Sequence, residues 1–318
     1  MIEFTGERFV PTEHGVIRQE HLHRYAWCLP LVQGRDVLDV ASGEGYGSAM
    51  LASRARSVRG VDISQEAVDH ATARYAAVSN LTYMQGSAAA IPLVDDSVDV
   101  VVSFETIEHL MEQEEMMAEI RRVLRPDGVL VMSSPNKEVY SDRAGYHNDF
   151  HVKELYQAEF LALVGRHFPA SRLCGHRMAV CSTITPLSGG ACADSYQALT
   201  DTGSGVEARV ASVPDAVYFV VVAAADASLL PDTPASVLYA EGEDLYAQQH
   251  DIARWAQGLD NEREDVIRWA RSLEAELEKS RADYHRLEAE FEDRTRWALE
   301  LDQVVQAAGG RSGAAELR

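Results

Sequence analysis

From Arg35 to about Leu187 short apolar runs alternate with amphipathic stretches, the pattern of a parallel sheet carrying helices on both faces. Strands are expected at DVLDV (36–40), SVRGVDI (57–63), LTYMQG (81–86), VDVVVSF (98–104) and GVLVMSS (128–134), with helices starting near Tyr46, Gln65 and Gln113. Leu124-Arg125-Pro126-Asp127-Gly128 reads as a turn before the fifth strand, because Pro stops a helix and Gly permits a tight reversal. Past Pro135 a loop runs through Tyr146 to His151 into a helix expected over Lys153 to Phe168. Two further apolar segments, Arg172 to Leu187 and Ala216 to Ala225, would pair as an antiparallel hairpin. Residues 188–212 between them, rich in Gly, Ser, Thr and Ala, form a flexible surface loop in this reading.

From about residue 241 the character changes to a charged helical sequence with sustained heptads. Stepping by seven from Leu245 and from Gln249 gives eighteen positions, of which fourteen are apolar, a regularity that a solvated single helix has no reason to maintain. RWAQGL at Arg254, RWARSL at Arg268 and RWALEL at Arg296 repeat at heptad multiples. The three tryptophans at this spacing read as packing residues rather than a sugar-stacking array. A coiled-coil tail over 241–308 is therefore expected, bent or broken at Gly258 and followed by a disordered end at 309–318. Such a seam implies a homo-oligomer.

Composition narrows the function classes. Fifty acidic against 29 basic residues give a formal charge of -21, which repels phosphate backbones and disfavours nucleic-acid and anionic-membrane partners. Cys28, Cys174, Cys181 and Cys192 form no CxxC pair, so neither a zinc site nor a disulfide framework is indicated. The apolar run from Ala216 is broken by Asp226 short of the ~20 residues of a membrane span, and MIEFTGERFV lacks the features of an export signal. A reduced cytoplasm is the expected setting.

The first strand runs directly into VLDVASGEGYGSAML, which places Gly43, Gly45 and Gly47 at a strand-to-helix turn where a ligand can approach bare backbone. Ser48 stands where a dinucleotide fingerprint has its last glycine, which weakens a pyrophosphate reading. Asp62, 23 residues after Asp39, ends the second strand, where a carboxylate accepts from both ribose hydroxyls. Its plainer role would be a helix cap, but Ser64 can cap instead and leave the carboxylate free. His109, after Glu108, lies just beyond the fourth strand in the topological switch region; it is either a group facing an acceptor or a histidine that structures the next helix. His147, Asn148, His151 and Glu154 form a polar cluster whose plainer role is capping and loop hydrogen bonding.

VLDVASGEGYG resembles the first motif of class I S-adenosylmethionine (SAM)-dependent methyltransferases, and VRGVDIS the second. MQGSAAAIPLVDDSVDVVVSFETIEHL and LRPDGVLVMSSPN resemble the third-strand to fifth-strand signature, and the blocks run in the family's order over residues 37–136. The resemblance implies a Rossmann-like, mostly parallel α/β sheet with an antiparallel C-terminal hairpin, over 35–240, and SAM as cofactor. It implies cofactor contacts at Asp39, Ser42, Gly43, Gly45, Asp62 and Ile63, then at Ser87, Ala88 and Phe104. Ala41 stands where the family often has Gly, and Ser87 where an acidic residue often lies near the adenine. FTGERFVPTEHGVIRQEHLHRYAW and YHNDFHVKEL resemble flanks of methyltransferases of bacterial polysaccharide and O-antigen assembly, the second also those of ubiquinone-pathway O-methyltransferases. By that likeness residues 1–34 form a cap in which Arg24 and Tyr25 close over the cofactor, and His151 lies near the acceptor.

SAM already carries an activated methyl group, so no metal is demanded; an alcohol acceptor must lose a proton, for which His109 or His151 is a suitable base, with Glu108, His147 and Asn148 beside the substrate. The reading is O-methylation of a sugar or glycan chain end, with the tail oligomerising or docking on a glycan-assembly protein. The rivals are methylation of a small phenol, quinol or secondary metabolite, and a non-catalytic coiled-coil scaffold with a vestigial SAM fold.

Overall fold

The computed structural model describes residues 15–179, 181, 198–203, 205–211, 213, 215–238 and 245–312; side chains within the last helix are described over 250–307. The expected N-terminal cap lies outside the described residues up to residue 14, as do residues 188–197, 204 and 212 of the expected loop and the chain end past 312.

The elements are α1 (Val16–Cys28), β1 (Asp36–Val40), α2 (Tyr46–Ala52), β2 (Ser57–Asp62), α3 (Gln65–Arg74), β3 (Leu81–Gln85), β4 (Val98–Ser103), α4 (Gln113–Val123), β5 (Leu124–Pro135) and α5 (Gln157–His167), then β6 (Ala170–His176), β7 (Thr200–Asp201), β8 (Val206–Glu207), β9 (Tyr218–Ala224) and α6 (Leu245–Ser312). Seven strands form one sheet in the order β3-β2-β1-β4-β5-β9-β6; the first five are parallel, and β9 runs antiparallel between β5 and β6. Alternation along the strands splits the core into two layers. In β9, Phe219, Val221 and Ala223 join one cluster while Val220 and Val222 join the other.

Three differences from the sequence reading have local causes. The Leu124–Gly128 turn is absorbed into β5 as an irregularity: Val98 pairs with Leu124 and Val100 already with Val129. Helix α5 starts at Gln157 rather than Lys153, because Leu155 bridges to Asn136 and the Glu159 carboxylate caps the backbone N–H of Tyr156 at 3.0 Å. The region expected to be loop through 212 carries the small ribbon β7–β8.

The chain divides into two compact units, Met1–Leu245 and Tyr246–Arg318. The second consists of α6, which continues without interruption through Gly258, at variance with the expected break; a lone glycine costs a helix only ~1 kcal/mol, and the flanking turns are good helix formers. Its heptad positions Ile252, Leu259, Val266, Leu273, Leu277 and Leu287 are all exposed. No helix among the described residues is long and apolar enough to cross a membrane.

Candidate functional site

At the C-terminal ends of β1, β2 and β4 a cleft of about 640 Å³ opens, where the chain leaves β1 and β4 in opposite directions along the sheet. Its floor is the turn after β1. Gly43 and Gly45 have φ of 54° and 89°, and a Cβ on Gly45 would come within 2.5 Å of the Tyr83 hydroxyl, which donates to the Gly45 carbonyl. Gly47 is needed for another reason: a Cβ there would lie 2.1 Å from Cζ of Tyr25, so the bare backbone of α2 is what lets the α1 ring seat on it.

Tyr25 donates to the Asp39 carboxylate at 3.2 and 3.4 Å, and Ser48 donates to it at 2.6 Å. Asp39 is fully buried under the turn and does not line the cleft. Its carboxylate ties α1, β1 and α2 together and, of the positions expected to contact the cofactor, is one that does not face the cleft. Burial, with the nearby Asp62 charge, pushes the Asp39 carboxyl up to about 7. Gly45 likewise shapes the turn without lining the cleft, whereas Tyr25, Ser42, Gly43, Ile63, Ala88 and Phe104 do line it.

Asp62 faces the cleft with both oxygens oriented: Oδ2 accepts from the Gly43 N–H at 2.8 Å and Oδ1 from the Ser64 N–H at 2.9 Å. Ser64, not Asp62, caps α3, accepting from the Ala67 N–H at 3.3 Å. A carboxylate has about four acceptor positions, so one on each oxygen stays available to a vicinal diol. Ser87 also lines the cleft, though its hydroxyl accepts from the Ala89 N–H at 3.1 Å as part of a local turn. A bare glycine turn, a preset carboxylate and the exposed side chain of Ile63 suit a ribose and adenine, so the residues fit SAM.

At the other end of the cleft lie Glu108, His109, Asn148 and His151. The buried Gln113 side chain holds the two loops together, donating to the carbonyls of Ile107 and Lys153, each at 2.9 Å. The N–H groups of Val152 and Lys153 add bonds to the Glu108 carbonyl at 2.9 and 3.0 Å. His109 Nδ1 sits 2.8 Å from the Phe150 carbonyl, and His151 Nδ1 sits 2.6 Å from Glu154, itself bonded by Ser141. A carbonyl and a carboxylate only accept, so each Nδ1 is placed to donate, which in the neutral ring leaves the lone pair on Nε2; at His151 the Asn148 amide stands 3.0 Å from that atom. Glu108 is fully buried, and neither of its oxygens has a hydrogen-bond partner among the described residues. Burial, with the Glu105 charge, pushes its carboxyl well above the usual range. Glu108, His109 and His151 offer possible ligand atoms that all lie within 4.8 Å of one another. His147 does not join them: it is exposed and pairs with Asp149 at 3.6 Å.

The cleft also contains residues that the sequence reading did not single out. Glu105, with φ of 51°, bonds to Ser133 through its backbone N–H and its carboxylate. Tyr140 stacks on His151 with centroids 5.4 Å apart and touches Tyr218 at 5.7 Å. Tyr218 comes from β9, and nothing local marks it. Arg24, expected beside Tyr25 over the cofactor, does not line the cleft; it is buried 4.9 Å over the Tyr218 ring, and burial together with its positive charge lowers His176 to about 3.

Residues 38–132 match the family model of a methyltransferase domain. A probable S-adenosylmethionine-dependent methyltransferase of Mycolicibacterium smegmatis is 41% identical over 173 residues, covering 51% of this chain and 63% of that protein. One of Mycobacterium tuberculosis is 39% identical over 180 residues, covering 55% and 64%. The chain thus spans a little under two thirds of the length of these relatives. A solved structure of a SAM-dependent methyltransferase from Thermotoga maritima superposes with a TM-score of 0.47 at 16% identity, over 66% of this chain and 91% of that one. Over the matched residues the chain is thus similar to methyltransferases that are named as SAM-dependent.

Proposed function

We propose that the chain is a SAM-dependent methyltransferase acting on a hydroxyl of a sugar or glycan chain end. The observation that carries this reading is the pairing, in one cleft, of a glycine turn and Asp62 at one end with His109 and His151 at the other. SAM supplies a methyl group already activated by its sulfonium. The chain's own work is to hold the acceptor oxygen in line, exclude water and help that oxygen lose its proton. The wall of Tyr140 and Tyr218 offers flat apolar faces to a sugar ring, and Asn148 and Thr106 offer polar groups to its hydroxyls. The test is transfer of labelled methyl from SAM to a panel of nucleotide-linked and lipid-linked saccharides beside phenols and quinols. Labelled saccharide with the methyl on oxygen is expected. Label on the phenols alone would install the small-molecule rival, and tight SAM binding with no turnover on any acceptor would favour the scaffold.

The tail belongs to the same proposal. Helix α6 has 68 residues and, at ~1.5 Å per residue, a length of roughly 100 Å. Its exposed seam has a repeating apolar period, and a second copy of the same helix carries the same period. The protein is expected to be a dimer or trimer that becomes monomeric, and still binds SAM, when truncated near Glu243. Light scattering on both forms decides this: a monomeric full-length chain, or an oligomeric truncation, removes the tail from assembly.

A further inference from the structure

We infer that Glu108, His109 and His151 form a binding site for one divalent cation, which would hold the acceptor oxygen during methyl transfer. The binding claim stands on the geometry; the role in acceptor activation rests on the methyl-transfer reading above.

Four observations converge. The Glu108 carboxyl is completely buried with both oxygens lacking a hydrogen-bond partner among the described residues, a costly arrangement that a cation would relieve. His109 Nε2 lies 3.9 Å from Glu108 Oε1, and the ligand atoms of all three residues lie within 4.8 Å of one another. Atoms ligating one ion at about 2.1 Å are at most about 4.2 Å apart, so modest side-chain rotation closes the set. Both imidazoles have their Nδ1 protons occupied, by the Phe150 carbonyl and the Glu154 carboxylate, which directs Nε2 lone pairs to the ion. A carboxylate or carbonyl behind each ligating histidine is the usual outer support of a metal site. All three side chains also line the cleft, so the ion would be reachable by an acceptor.

One carboxylate and two imidazoles suit a first-row divalent ion and leave coordination positions open. The ion would displace the Asn148 amide hydrogen from His151 Nε2 and take the acceptor hydroxyl in an open position, lowering its pKa as a Lewis acid does. On transfer the oxygen would gain the methyl carbon, the sulfur would keep the electron pair of the broken bond, and the hydroxyl proton would pass to solvent. This departs from the expectation, drawn from the chemistry of SAM alone, that no metal takes part.

The experiment uses the full chain, stripped with chelator and titrated with Mn²⁺ while the electron paramagnetic resonance signal of the free ion is followed. One saturable Mn²⁺ per chain is expected. Glu108→Gln and His151→Ala should remove it, and Glu154→Gln, which changes only the outer support, should weaken it about 10- to 100-fold. Calorimetric SAM binding, retained in all variants, reports an intact fold. Absence of a saturable site in the wild type, or equal affinity in Glu108→Gln, overturns the site. Full-rate transfer by the stripped protein overturns its role in activation. Mn²⁺ binding without methyl transfer to any acceptor would sink the functional reading and leave the site standing.

Discussion

Replacing Asp62 by Ala tests the cofactor end of the cleft most directly. The carboxylate is nearly buried and already oriented by the N–H groups of Gly43 and Ser64, so a ribose diol meets it without further ordering. A hydrogen bond to a charged group contributes about 1.5–3 kcal/mol, which corresponds to roughly a 10- to 150-fold weaker Kd for SAM or its demethylated product. Part of any loss could come instead from the Gly43 turn, since the substitution also frees that N–H. A chemical double-mutant cycle separates the two causes. An analogue of the demethylated product lacking both ribose hydroxyls should bind the wild type about as poorly as the normal ligand binds Asp62→Ala, and the variant should not distinguish the two ligands. Isothermal calorimetry on the four combinations supplies every term. If the hydroxyls cost as much in the variant as in the wild type, Asp62 does not hold the ribose, and its role is confined to the turn.

The other expectations are shorter. Gly47→Ala drives a methyl into the Tyr25 ring and should cost about 1–3 kcal/mol of stability, read by chemical denaturation; an unchanged midpoint would mean that α1 does not seat on α2 as described. His109→Ala and His151→Ala should each lower kcat, by about 10²- to 10⁴-fold where the ring removed is the one that takes the acceptor proton, while SAM affinity stays nearly constant; full activity in both would remove the acceptor site from this end of the cleft. Asp36 is held below the usual carboxylate range, first by its hydrogen bond from Arg56, so its stabilisation is present above the unfolded Asp pKa of about 3.9 and is lost as pH falls through the depressed folded value. Urea melts of wild type and Asp36→Asn should therefore differ at pH 7 and converge in strong acid; a gap that does not change with pH refutes this.

How much of the molecule was legible in the sequence follows from how local each signal is. Helices α2, α3 and α4 begin at the expected Tyr46, Gln65 and Gln113, because each start has a nearby mark: the glycine turn, the Ser64 cap and the acidic pair Glu114 and Glu115. Asp62 and Gly43 are also local, being tied to strand ends by a fixed spacing. The surroundings of Asp39 were not legible, since a buried aspartate after a hydrophobic strand looks the same in sequence whether it faces a ligand or ties Tyr25 to Ser48. His147 and His151 are four residues apart with similar neighbours. What separates them is Glu154 three residues past His151, which draws that ring inward while His147 turns to Asp149 at the surface. Tyr218 could not be found at all, because the register that pairs it with Pro135 and His176 is set across the sheet.

The same reasoning explains why the acceptor end of the cleft is harder to read than the cofactor end. Gly43, Asp62 and their partners sit on two adjacent strand ends of a sheet whose register is fixed by β1–β2 pairing over five residues. His109 and His151 sit instead on two loops, 42 residues apart in sequence, joined by Gln113 and by backbone bonds to Glu108. A sheet edge can present a cofactor pocket from short-range pattern alone, whereas a loop pair gains its chemistry only once a buried amide has chosen which carbonyls to bridge. If the acceptor binds there as proposed, its choice can change by altering those loops without disturbing the strands below.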